Sequence, residues 1–298
     1  MDQKIEMRKM RDFSAKINAT FEFLRQNFKA LFKSMLFLAG PLLLLQGIFF
    51  NFYQKAATDI TALGNENFLE FYAQLMIWIG LLLVFSILSY SVTLIVVNEY
   101  IRLYESRSFP SKIEPSDIWP RVKSLTLPLI GVSIAVAIIL MVALVFLIVP
   151  FFYLAVVLSL LGPLLVIEGK GFGEAFSRCF SLITEKWWST FGLIFVTSLI
   201  SVFMAMMFSI PQSILNIMLM VHKTNGESAP LWQEVAFLLS NIIYSLGGSL
   251  LQSIPIIAIA FQYYNLVERK EAAGLMAKLD TFGQAPQAGS AQNANETY

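Results

Sequence analysis

The chain has 298 residues, 57% of them hydrophobic and 14% charged, with a mean hydropathy of +0.67; a soluble domain carries roughly 25% charged residues. A net charge of +1 supplies no global basic field, so nucleic acid is excluded as a partner. One cysteine, Cys179, and one histidine, His222, leave no intrachain disulfide and too few ligands for a Cys/His zinc cage, and no cofactor or metal is expected.

Residues 1–33 are strongly charged and lack the short apolar region and small-residue cleavage site of a removable signal peptide. Within them Ile17, Phe21, Leu24, Phe28 and Leu31 recur at helical spacing, with Lys16, Glu22, Arg25, Gln26 and Lys29 on other faces. This predicts an amphipathic helix in the inner interface, its basic residues toward anionic lipid.

Six apolar segments follow, each long enough for a hydrocarbon core of about 30 Å. They fall near Ser34–Tyr53, Phe71–Val97, Ser124–Val149, Phe151–Ile167, Trp187–Val221 and Val235–Asn265. Only Pro150 separates the third from the fourth, and proline there predicts a reversal of direction. Ser116–Lys123 predicts a short interfacial helix ahead of span three, with the side-chain oxygens of Asp117 and Ser116 as N-cap acceptors and Trp119 and Val122 on its apolar side. Phe172, Phe176, Cys179, Phe180 and Ile183 predict another ahead of span five, with Glu174 paired to Arg178 four residues on. Two arrangements stay open: three repeats of interfacial helix plus hairpin, or the amphipathic flanks common beside any span.

The fold class is therefore all-α, a polytopic membrane bundle of six transmembrane helices with cytoplasmic interfacial helices. The expected divisions are 1–33, a cytoplasmic segment with an amphipathic helix; 34–265, the transmembrane domain; 266–282, a cytoplasmic helix end; and 283–298, a disordered tail poor in apolar residues. Of the 21 Lys and Arg residues, only Lys55 and Lys223 fall outside the N-terminal segment, the second and fourth loops and the C-terminal segment. By the positive-inside rule those four regions and both termini are cytoplasmic. A multi-pass protein of the bacterial inner membrane is expected. Trp187 and Trp188 open span five at headgroup depth, where such rings settle.

No Asp, Glu, Lys, Arg or His lies inside the six spans, which argues against proton relays and intramembrane proteolysis. The polar span residues are neutral, chiefly Gln46, Gln74, Gln212, Asn216, Asn241 and Gln252. Gln212, Asn216, Asn241 and Gln252 are candidates for a cavity lining or for hydrogen bonds between helices. Pro41, Pro128, Pro163, Pro211 and Pro255 lie in five of the six spans, with matching Gly40–Pro41 and Gly162–Pro163 breaks; broken helices are a feature of transport sites, but proline is also ordinarily tolerated in membrane helices. Ser245, Gly247, Gly248 and Ser249 predict close helix approach in span six.

The run Glu168-Gly-Lys-Gly-Phe-Gly-Glu-Ala-Phe-Ser-Arg-Cys-Phe matches neither phosphate-loop spacing and follows no strand. With Lys186-Trp187-Trp188 it resembles a group of bacterial multi-pass proteins that includes the YciC-like proteins and the membrane domain of glycerophosphodiester phosphodiesterases. Their acidic-Gly turn, E-A-x-x-x-S-x-x-L helix and K/N-W-W start of a span occur here with Cys179 in place of the small Ser. The similarity covers about 20 residues, has no counterpart of the catalytic domain and transfers no active site. Glu168, Glu174, Arg178, Trp187 and Trp188 are expected to form an interfacial elbow. The function expected is a non-enzymatic, lipid-contacting scaffold or assembly partner, with membrane lipids, a second copy or another membrane protein as partners. The alternatives are a transporter or flippase for an apolar or amphiphilic solute and, behind it, an interfacial enzyme using Glu168, Glu174 or Asp117.

Overall fold

A computed structural model describes residues 3–57, 68–108, 112–146 and 148–272 of the chain. The expected tail at 283–298 and residues 273–282 of the expected helix end lie outside the described residues.

Asp12 starts the first helix by accepting the Ala15 N–H on its side chain at 2.7 Å. Helix α1 (Phe13–Leu38) ends at Ala39, and α2 (Gly40–Ala57) leaves it at 64°. Pro41 has no N–H to return to Phe37, so the break falls where the Gly40–Pro41 pair predicts. Helix α3 (Phe68–Ser106) is continuous. So is α4 (Pro115–Phe146), which absorbs the separate interfacial helix expected at Ser116–Lys123. Without a break there, the second of the three proposed repeats loses its first part.

The reversal expected at Pro150 lies slightly earlier. Helix α5 (Ile148–Leu158) carries Pro150 in its first turn, where a missing N–H costs no helical bond. The chain doubles back here: Arg121 near the start of α4 donates to the Val166 carbonyl at 2.8 Å. Helix α6 (Leu161–Val166) follows a break at Ser159–Leu160, because Pro163 cannot donate to Ser159. Helix α7 (Phe172–Ile183) leads to the two longest helices of the second half, α8 (Trp187–Thr224) and α9 (Leu231–Glu271). Both run unbroken through Pro211 and Pro255, so of the two readings of these prolines the ordinary tolerance of proline in membrane helices holds for them. Five helical stretches are long and apolar enough to cross a membrane, and six if the bent α1–α2 pair counts as one.

Packing is densest at one end. There Ile95–Ile101 of α3, Leu160–Val166 and almost every residue of α9 from Ile256 to Val267 are buried. By contrast α4 buries only Ile118, Val122, Leu129 and Ala143 fully, with Leu125, Val132, Val136 and Ile139 partly buried against the core and a broad face exposed. An all-round apolar helix with one buried stripe is what a lipid-facing position requires. Helix α9 uses its small residues to admit neighbours. Ser245 Oγ donates to the Leu43 carbonyl at 3.0 Å, and the Phe208 ring sits where a Cβ on Gly247 would stand, 2.8 Å away. Gly47 of α2 is as close to Ile242 Cα, so these two backbones touch. Gly248 faces open space and takes no part.

Candidate functional site

The chain ends and loops fall into two groups, joined by the contacts between them. Lys4 and Arg8 reach Glu105 at the end of α3; Arg107 reaches Asp117 at the start of α4; Arg121 reaches Val166; and Arg178 reaches Glu271. The four basic regions thus meet at one end of the bundle. Lys55, Lys223, Glu227 and Glu234 meet at the other, with Lys55 and Glu234 paired at 2.8 Å.

The charged end is organised around the last turns of α9. Tyr264 donates to Glu105 at 2.5 Å, and Arg8 donates to the other oxygen of that carboxylate at 2.7 Å. On the opposite side Tyr263 donates to Glu168 at 2.7 Å, and Arg178 approaches the same carboxylate at 2.9 Å. Two carboxylates, each holding one tyrosine and one arginine, clasp α9 between α3 and the α6–α7 turn. The N-terminal arm closes the top. Ile5 N–H donates to Tyr104 Oη at 2.9 Å and Arg11 N–H to Asn265 Oδ1 at 2.8 Å, while the Arg11 guanidinium lies over the Phe261 ring.

Beneath the arm, α1 crosses the bundle. Lys16, 2% exposed, donates to Gln262 Oε1 at 2.6 Å and to Ser189 Oγ at 2.9 Å, and Gln262 passes the chain of bonds to Thr190. Further along, Tyr100 of α3 donates to Asn27 at 3.0 Å, and Phe23 packs edge-on against Tyr100, Tyr104 and Phe261. The buried face of α1 is therefore Lys16, Thr20, Phe23, Asn27 and Ser34. Of the apolar set expected at the membrane interface, Leu31 is buried in the bundle, Phe28 is 53% exposed, and Ile17, Phe21 and Leu24 are half-buried.

Helix α7 likewise divides its expected apolar face, burying Cys179 and Ile183 but not the three phenylalanines. Ala175, Cys179, Leu182 and Ile183 are buried, whereas Phe172, Phe176 and Phe180 stack in a row along its shoulder. Glu168 lies in the turn before it, where Gly169 takes φ +69°, a conformation that side chains resist. The expected Glu174–Arg178 pair is replaced: Glu174 joins Lys170, and Arg178 turns to Glu168 and Glu271. Arg178 is drawn away because two carboxylates from other elements lie within its reach. Trp187 stacks on Phe191 and Tyr153 at 5.3 and 6.1 Å, while Trp188 projects outward.

The neutral span residues do not gather. Asn241 donates to Asn51 of α2 at 3.2 Å within the bundle. Gln212 is buried in α8, and Asn216, on the same face, lines a cavity of about 270 Å³ with Lys55, Lys223 and Glu234 at the opposite end. Gln252 is exposed. Sequence reasoning missed Glu105, Gln262, Tyr263, Tyr264 and Asn265, and set Lys16 toward lipid rather than inside the bundle. The run Gln262–Asn265 held the signal: four consecutive hydrogen-bonding side chains point to every side of a helix, so partners must surround it.

Chemically, this arrangement ties elements together. Glu105 and Glu168 already accept bonds from a tyrosine and an arginine each. Burial pushes the Cys179 thiol up to about 12, which keeps it protonated, and His222 is at the far end. Among the described residues no cluster of three or more His, Cys, Asp or Glu side chains could hold a metal ion. Residues 121–266 match the family described as Domain of unknown function (DUF7847), a stretch that runs from Arg121 through the clasp on α9. No curated protein and no solved structure matches the chain.

Proposed function

We propose that this chain is a non-enzymatic protein of the bacterial inner membrane that contacts lipids and serves as a scaffold or assembly partner. Its charged end and both termini lie in the cytoplasm. The clasp around α9 carries this reading. Glu105 and Glu168 at that end are spent on holding α9 to α3, α7 and the N-terminal arm, and the surface left outward mixes apolar side chains with more basic than acidic ones. A basic inner face over an apolar belt suits contact with lipid headgroups. Reporter fusions or cysteine labelling test the insertion. Positions at Lys4, Arg107 and Arg178 are expected on the cytoplasmic side and Asn225 outside; finding Arg107 and Asn225 on one side overturns it. The scaffold role is tested by complementation of a deletion strain. Glu105→Gln or Glu168→Gln proteins that fold normally yet fail to complement would replace it with an interfacial enzyme.

One observation favours transport as the second reading. A cavity of about 370 Å³ opens between α3, α4 and the α5–α6 region, apolar except for hydroxyls such as Ser86, Ser133 and Ser159. A path of that composition suits an amphiphilic solute. Export or uptake of a fluorescent lipid analogue by the purified protein in vesicles, lost on Ser133→Trp, would favour it over the scaffold.

A further inference from the structure

Helix α1 forms a roof. Its buried face is pinned at Lys16 to α8 and α9 and at Asn27 to α3, so its next face, with Leu24 and Phe28, overhangs the space between α8 and α9. There it meets Met204 and Met207 of α8 and Leu250 and Ile254 of α9, enclosing a groove of about 300 Å³. The groove persists because Phe208 is held aside against Gly247, which has no side chain to displace it. Ser253, the one polar side chain at its wall, already donates to the Leu250 carbonyl. Water needs two or more polar partners and would find none free. The groove is open to the side, since Met207 is 73% and Phe28 53% exposed. Its volume lies at the small end of the range of ligand pockets.

The flank of α1 beside this face is basic. Arg25 and Lys29 each follow a groove residue by one position, about 100° round the helix, and Lys33 continues the line, all three exposed. Glu22 is the acid on that flank. We propose that the groove holds an acyl chain of an anionic phospholipid whose headgroup rests on Lys29 and Lys33. This rests on the membrane-inserted reading above. A chain gains little apolar burial on leaving bulk lipid for a groove of Leu, Met and Phe, because lipid tails are equally apolar. Selection therefore falls to the headgroup.

The test uses the full chain in phosphatidylcholine nanodiscs containing a trace of phosphatidylglycerol with a diazirine on its acyl chain. The matching phosphatidylcholine probe serves as control. Irradiation followed by peptide mapping is expected to mark Phe28, Met204 and Met207 well above lipid-facing Ile138 and Val145 of α4. The choline probe should mark them about fivefold less or lower still, since each surface Lys or Arg contributes about that factor. Lys29→Gln with Lys33→Gln should reduce the glycerol probe to the choline level, and Met207→Trp should remove the groove crosslinks with both, each at normal elution and melting temperature. Equal marking by the two headgroups, or marking spread evenly over α4 and the groove, overturns the proposal. Either result leaves the scaffold reading intact, since that stands on fusions and complementation.

Discussion

Ser201 Oγ lies 3.0 Å from the Leu251 carbonyl oxygen, the acceptor that Pro255, four residues further along α9, has no N–H to satisfy. The single hydroxyl proton is shared with the Thr197 carbonyl at 2.9 Å. In a hydrocarbon setting a freed carbonyl must find another donor, and α8 supplies it. This relationship explains how α9 passes through a proline without a break.

Ser201→Ala is therefore expected to destabilise the protein by about 0.6–1.7 kcal/mol, the span measured for hydrogen bonds between membrane helices. Pro255→Ala restores an N–H to Leu251 and should shrink that cost. Melting temperatures of the four proteins of the double-mutant cycle measure the coupling; additive effects would refute the link.

Lys16 is a nearly fully buried cation whose contacts are neutral oxygens on α8 and α9. Gln262→Leu leaves it with one hydroxyl and should cost about 1.5–3 kcal/mol, the worth of a hydrogen bond to a charged group. Adding Lys16→Met removes the stranded charge and should recover most of the loss. Thermal denaturation of single and double variants in one detergent checks this, and a double variant no better than Gln262→Leu alone would contradict it.

Two neighbouring glutamates should behave differently. Glu168 accepts from Tyr263 and Arg178 across elements, so Glu168→Gln is expected to cost about 1.5–3 kcal/mol. Glu174 sits exposed beside Lys170 within one stretch of chain, so Glu174→Gln should change stability by no more than about 0.5 kcal/mol. Parallel melts of the two variants separate them.

Cys179 links stability to alkaline pH. Burial raises the folded thiol from its ordinary value near 9 to about 12, so between those values the unfolded chain releases a proton that the folded chain retains. The unfolded state then binds fewer protons, and stability falls as pH rises through this window, with no contribution below it. Cys179→Ala should flatten that part of the pH profile. Maleimide should label the folded wild-type protein slowly at pH 8; labelling as fast as that of the denatured chain would show the thiol to be accessible.

Much of the architecture was legible in the chain itself. Six apolar stretches, the confinement of all but Lys55 and Lys223 to alternate loops, and the breaks near Pro41 and Pro163 follow from hydrophobic length, from charge and from the missing proline N–H. The four basic regions do meet at one end of the bundle, through contacts such as Lys4 to Glu105 and Arg178 to Glu271.

The inward faces were decided only by tertiary structure. Periodicity grouped Ile17, Phe21, Leu24, Phe28 and Leu31 of α1, and Phe172, Phe176, Cys179, Phe180 and Ile183 of α7. Of these the bundle buries Leu31, Cys179 and Ile183, and beside them it packs Lys16, Phe23 and Asn27 of α1 and Ala175 of α7. In water the most apolar face must turn inward, but beside lipid both directions are apolar. What decides is then which side chains are small enough to pack closely or polar enough to need a partner. For the same reason Pro211 and Pro255 did not break their helices. Whether a proline breaks a helix depends on a neighbour able to satisfy the freed carbonyl, as Ser201 does, and that neighbour is 54 residues away in the chain from the proline it serves.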